Sequence, residues 1–176
     1  LLGVLAVNLP LPGLRRTQTA LAVGLLVCLW QAGVAVCASA EALAAPSGWL
    51  TPLFQARASV DSLARVMFLT IGIVGAAALA VGRGTIGDDR SRRSFVNLVI
   101  LAVAGMNGMV LAADLFSLYV FLEVTAVASF VLICLDRTRD AFEGAFKYVV
   151  LSAVATTMIL AAMGLLLMTR GSVAFG

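Results

Sequence analysis

Glu123 and Lys147 are the two side chains whose types and placement suit them to move a proton. The run DLFSLYVFLEVTAVASFVLICL, Asp114 to Leu135, is apolar enough for hydrocarbon, yet Glu123 stands nine residues after Asp114 and twelve before Leu135. At about 1.5 Å per helical residue, its carboxyl group lies roughly 13 Å from one end and 18 Å from the other. A charge at that depth costs about 2.5 to 3.5 kcal/mol on insertion scales, so such residues face a bundle interior and serve a pathway or a paired site. Helical spacing puts Phe116, Tyr119, Ala126 and Phe130 on the same face, and Tyr119 offers a hydroxyl. The structural alternative is an ion pair, or a permanently protonated acid bonded to a carbonyl.

Lys147 is the single lysine among twelve basic residues, and the arginines fall nearly all in loops. Counted from Ala141 it sits about 9 Å into its own apolar span. A buried ammonium can give up its proton whereas a guanidinium effectively does not, which favours Lys at a relay point. Glu143, four residues earlier, supplies the structural alternative: an i,i+4 pair that holds Lys147 for stability alone. Glu123 and Lys147 on successive helices would shift each other's proton affinity, which is the elementary step of a charge relay. Asn107, inside another span, can bond between helices or touch a water-filled path.

Other chemistries are excluded or disfavoured. The sequence contains no histidine, which removes a Ser/His triad, a haem axial imidazole and most metal sites. Cys28, Cys37 and Cys134 form no close pair and lie in or near apolar spans, as buried inert thiols do. Gly82-Arg-Gly84-Thr-Ile-Gly87 has dinucleotide-fingerprint spacing but follows an apolar span instead of a strand, and a flexible turn is expected there. No cofactor, metal or catalytic site is expected in this chain, and no basic, aromatic-studded patch suggests nucleic acid.

The elements that must hold these residues are transmembrane helices. The chain has 176 residues, 62% hydrophobic and 12% charged, with a mean hydropathy of +1.08. Runs near 20 apolar residues cross about 30 Å of hydrocarbon, and without a barrel's alternation they must be helical. The fold class is therefore an all-α integral membrane bundle of about six helices. The spans run Leu1–Leu9 (a truncated first helix), Thr19–Ala40, Val60–Gly82, Ser94–Ala112, Asp114–Leu135 and Ala141–Thr169. They divide into residues 1–93, with three helices and an irregular segment Glu41–Ser59 lying at the membrane surface, and residues 94–176 with the other three. Ala112-Ala113 forces a tight hairpin between the fourth and fifth spans. Gly72, Ala76 and Ala80, and Ala104 with Gly108, form small-residue ridges for close helix approach.

The net charge of +3 comes from arginines in short loops and suits anionic headgroups. The turns after the first, third and fifth spans hold Arg15, Arg16, Arg83, Arg90, Arg92, Arg93, Arg137 and Arg139, whereas the other side has Arg57, Arg65 and Arg170. The arginine-rich loops are expected to be cytoplasmic, with the irregular segment and Gly171–Gly176 outside.

Gly105-Met-Asn107-Gly108, followed by Asp114-Leu-Phe116-Ser-Leu-Tyr119-Val-Phe121-Leu-Glu123-Val, resembles the fourth and fifth helices of antiporter-like membrane subunits. These occur in Mrp-type cation/proton antiporters, energy-converting membrane-bound hydrogenases and complex I (NADH-quinone oxidoreductase). Glu143-Gly-Ala-Phe-Lys147-Tyr148, with Gly164 and Thr169-Arg-Gly171-Ser-Val, resembles the family's sixth helix and its exit turn. The wording of these motifs is closer to the Mrp and hydrogenase branch. The resemblance implies that Glu123 matches the family's buried helix-five glutamate in the proton path, that Lys147 matches its helix-six lysine, and that Asp114 and Phe116 have a structural role. It also implies a fold of about fourteen helices in two inverted repeats, of which this is the N-terminal portion. The expected function is a proton-translocating subunit, or half of one, in the cytoplasmic membrane of a bacterium or archaeon. Its partners would be lipid, other membrane subunits, and a chain or segment supplying the missing helices. The alternatives are a non-conducting assembly scaffold and, more weakly, a membrane enzyme acting on lipid or quinone.

Overall fold

The computed structural model describes residues 16–37 and 62–173. The expected first span and the irregular segment lie outside the described residues. Five helices follow one another: α1 (Arg16–Cys37), α2 (Ser62–Thr85), α3 (Asp89–Leu111), α4 (Leu115–Ile133) and α5 (Arg139–Arg170). A short 3-10 turn, Cys134–Asp136, extends α4. Helices α2, α3, α4 with its extension, and α5 are each long and apolar enough to cross a membrane, and α1 is apolar over Leu21–Gly33.

Side-chain caps set where the helices begin. The Asp88 carboxylate accepts from the backbone N–H of Ser91 at 3.0 Å and so starts α3 at Asp89, five residues before its apolar run. Asp114 accepts from the N–H of Ser117 with one carboxylate oxygen and from its hydroxyl with the other, both at 2.7 Å, which stops the α3–α4 hairpin from fraying. Thr138 caps α5 by accepting from Ala141. At the other end of α5, Gly171 takes φ 72°, a left-handed cap whose N–H donates to Leu167. The expected turn at Gly82–Gly87 is shorter than its glycines suggest. Helix α2 continues to Thr85, and Arg92 donates twice to the Ile86 carbonyl, fixing the loop that follows.

Helices α1, α2 and α3 share one core of Leu21, Cys28, Leu79, Val96, Val99, Ile100 and Val103. Association in hydrocarbon depends on close van der Waals packing, so small residues mark the seams. The closest approaches on α2 are at Gly72, Gly75 and Gly82; of the expected ridge Gly72, Ala76, Ala80, the first two pack against the neighbouring helices. A Cβ at Gly72 would press on the Cys28 carbonyl at 3.0 Å, one at Gly75 on Val103 at 2.9 Å, and one at Gly82 would enter the Phe95 ring. Ala80 itself is exposed.

Helix α5 lies along α4 through a stripe of small and medium residues, Ala145, Val149, Ser152, Thr156, Ile159 and Met163, which recur at helical spacing. The Leu115 N–H at the start of α4 donates to the Val173 carbonyl just beyond α5, at 3.0 Å, and closes the pair at that end.

Candidate functional site

The site is assembled on α4. Its seat is a notch on α3: a Cβ at Gly105 would collide with the Thr125 hydroxyl and one at Gly108 with the Phe121 ring, so these glycines admit α4 against α3. At about 100° per residue, Glu123 projects roughly 180° away from the midpoint of Phe121 and Thr125. The carboxylate therefore points away from α3. A Cβ added at Gly144 of α5 would lie 3.9 Å from Ile133, which marks the α5 side of α4, and Ala126 lies on the same line two turns earlier. Phe116, Val120, Val127 and Val131, all exposed, mark a strip that no described helix covers.

Glu123 stands between that α5 seam and the open strip, half-buried. No hydrogen bond or ion pair joins it to another described residue. Tyr119 shares its face one turn earlier, half-buried, but its hydroxyl does not bond to the carboxylate.

Lys147 is placed differently from the sequence expectation. Its ammonium donates to Glu143 Oε1 at 2.6 Å, and the two side chains are 68% and 59% exposed. Measured around α5, Lys147 lies about 200° from Ala145 and so faces away from α4. A direct Glu123–Lys147 pair across the seam is thereby replaced by the i,i+4 pair within α5. Depth agrees with this. The 32 residues of α5 span about 48 Å against about 30 Å of hydrocarbon, so a centred helix overhangs by about 9 Å at each end. Glu143 then falls in the headgroup layer and Lys147 at its boundary, where its stem can snorkel.

Asn107 also has a partner the sequence did not announce. It exchanges two hydrogen bonds with Gln31 of α1, at 2.8 and 2.9 Å, and Gln31 donates further to the Phe68 carbonyl of α2 at 3.1 Å. The available signal for Gln31 was its being an amide inside the otherwise apolar stretch Leu21–Gly33. Among the described residues, no three His, Cys, Asp or Glu side chains gather where they could hold a metal ion.

A family model described as NADH:quinone oxidoreductase/Mrp antiporter, TM, matches residues 112–176, the segment that carries Glu123, Glu143 and Lys147. A Na(+)/H(+) antiporter subunit of Bacillus subtilis is 30% identical over 125 residues, 71% of this chain and 25% of that protein. The chain belongs to the antiporter-like membrane subunit family. A second Na(+)/H(+) antiporter subunit, from Alkalihalophilus pseudofirmus, is 35% identical over 100 residues, 57% of this chain and 20% of the relative. This antiporter-like chain thus spans about a quarter or less of the length of these curated relatives. A chain in the structure of the membrane-bound sulfane sulfur reductase, an archaeal respiratory membrane complex, superposes with a TM-score of 0.80 at 21% identity. That match covers 98% of this chain and 36% of the other, and it shows that the helices share one arrangement.

Proposed function

We propose that this chain forms part of a subunit that carries protons across the membrane in exchange for a cation or under a redox drive, with Glu123 as a proton-binding site. The observation that carries the reading is the setting of Glu123. It is a carboxyl group in mid-helix, turned away from the α3 seat, unpartnered among the described residues and bordering an uncovered strip of α4. Such a group can exchange a proton only with water or a polar group that reaches it from outside the described helices, which is the access a gated proton site needs. The uncovered strip is where further helices would bring those groups, from this subunit or from a neighbour. The names of the relatives supply the cation: sodium exchanged for protons is the coupling to test first.

The arginines of the α2–α3 and α4–α5 connections lie at one end of the bundle, and Arg137 acts electrostatically on Asp88. With the loop asymmetry of the whole sequence, this supports a cytoplasmic position for that end, in a bacterial or archaeal cytoplasmic membrane. Residues 1–93 and 94–176 remain the proposed division of the chain, and other membrane subunits its proposed partners.

A second reading is favoured by the Glu143–Lys147 pair, which is closed on itself and faces outward: an assembly role in which α5 presents a neutralised ion pair to a neighbouring chain. The two readings divide on Glu123. In the full-length subunit within its complex, Glu123→Gln should abolish sodium-driven proton release from acidified everted vesicles while leaving assembly intact. Full-rate transport by that variant would leave the assembly reading standing.

A further inference from the structure

Gln31 lies inside the apolar stretch Leu21–Gly33 of α1, and nothing in the proton chemistry proposed above uses it. Its amide nitrogen donates to Asn107 Oδ1 at 2.8 Å and to the Phe68 carbonyl at 3.1 Å, and Asn107 Nδ2 donates back to Gln31 Oε1 at 2.9 Å. Three helices are thus tied at one level by a reciprocal amide pair. In hydrocarbon, removing either partner leaves the other amide unsatisfied, so the bonds hold the helices to one axial register.

That level is the level of the glycine notch. Asn107 lies between Gly105 and Gly108 in sequence, and around α3 it is turned about 200° from the first and about 100° from the second. One side of α3 is therefore locked to α1 and α2, while the other seats α4 at Phe121 and Thr125, the two residues that bracket Glu123. A slip of α3 along its axis would carry the notch with it.

We propose that the Gln31–Asn107 pair is a positioning device for Glu123: it fixes the register of α3, and through the Gly105–Gly108 notch it fixes where α4 presents its carboxyl group. The effect on transport rests on the reading of Glu123 as a proton site; the effect on the placement of Glu123 does not. Two readouts on the full-length subunit in its complex separate them: proton movement in vesicles, and labelling of Glu123 by dicyclohexylcarbodiimide at fixed pH, quantified by mass spectrometry.

Asn107→Leu should change Glu123 labelling several-fold and lower transport about tenfold, with the complex still assembled, since small displacements of a reacting group have effects of that order or larger. The swap Gln31→Asn/Asn107→Gln, which rebuilds an amide pair, should restore both. If Asn107→Leu prevents assembly, the Gln31→Leu/Asn107→Leu variant, which strands no amide, takes its place with the same expected change in labelling. Wild-type labelling in the Leu variants, or a swap no better than the single substitution, would overturn the proposal. If labelling depends on Asn107 but Glu123→Gln still transports, the proton reading fails and the positioning role stands. If labelling ignores Asn107 while Glu123→Gln is inactive, the positioning role alone fails.

Discussion

Helices α2 and α3 differ from α4 and α5 in how they are used, although all four are comparably apolar. Of the most apolar 18 residues in each, 28% and 33% are buried in α2 and α3, against 11% in both α4 and α5. The first pair packs with α1 around one buried core, tied by glycine contacts and one amide clamp, although α1 and α2 also expose large apolar side chains such as Trp30, Ile73 and Val81. The second pair carries the charged side chains of interest, Glu123, Glu143 and Lys147, and leaves an apolar strip of each helix uncovered. Stability and proposed chemistry are thus separated: α1 to α3 form a platform, and α4 with α5 form a working edge that the platform holds in place.

Steric substitutions at the joint between the two regions should have the largest effect. Gly108→Leu would drive a side chain into the space of the Phe121 ring, so α4 must leave its seat; we expect little or no assembled subunit on native gels, as overpacking of a fitted seam costs about 1–3 kcal/mol or more. Gly84→Ala, whose Cβ would meet nothing within 4 Å, is the matched control and should assemble normally. An indifferent response to Gly108→Leu would break the distinction between platform and edge.

Lys147 sharpens the same contrast. Because its ion pair with Glu143 is largely exposed, Lys147→Ala should change thermal stability by less than about 1 kcal/mol, the range of exposed pairs. Transport under the positioning seen here should fall far less than in Glu123→Gln, and the charge-reversed pair Glu143→Lys/Lys147→Glu should behave like the single substitution or better. Loss of transport as complete as that of Glu123→Gln would mean that Lys147 meets a partner which a neighbouring chain brings to the outer face of α5.

The smallest expected effect lies at the platform's loop end. Bonds from the Ser91 N–H and hydroxyl hold the Asp88 carboxyl below the usual carboxylate range. A pKa lowered in the folded state adds stability above the unfolded value, and that stability is lost as pH falls through the folded one. Asp88→Ala should therefore lower the melting temperature slightly at neutral pH, and the gap from the unmodified protein should close on acidification into and below the carboxylate range. A gap that widens instead would contradict the cap.

Much of the platform was legible in the sequence because apolar run length and loop arginines report spans and their alternation directly. Glu123 was legible for the same reason, since it is the one acid between Leu115 and Leu135. Partners and faces were less legible. Gln31 and Asn107 are 76 residues apart, and their pairing follows from the packing of three helices, which no local pattern encodes. Lys147 was expected to meet Glu123 because both lie on adjacent spans, yet the small-residue stripe Ala145, Ser152, Thr156 identifies the packed face of α5 and Lys147 lies opposite it. On α2, Gly72 and Ala76 pack as expected, but Ala80 is exposed and Gly75 and Gly82 take the tight contacts, because the partners there, Val103 and Phe95, are large enough to need a missing Cβ. Spacing alone does not tell which small residue faces a large one.

The most direct measurement is sodium-dependent proton movement in everted membrane vesicles containing the full-length subunit in its complex, with Glu123 unchanged, replaced by Asp, or replaced by Gln. The account predicts loss of exchange in Glu123→Gln, partial exchange in Glu123→Asp, and equal amounts of assembled complex in all three. Unimpaired exchange in Glu123→Gln would contradict it.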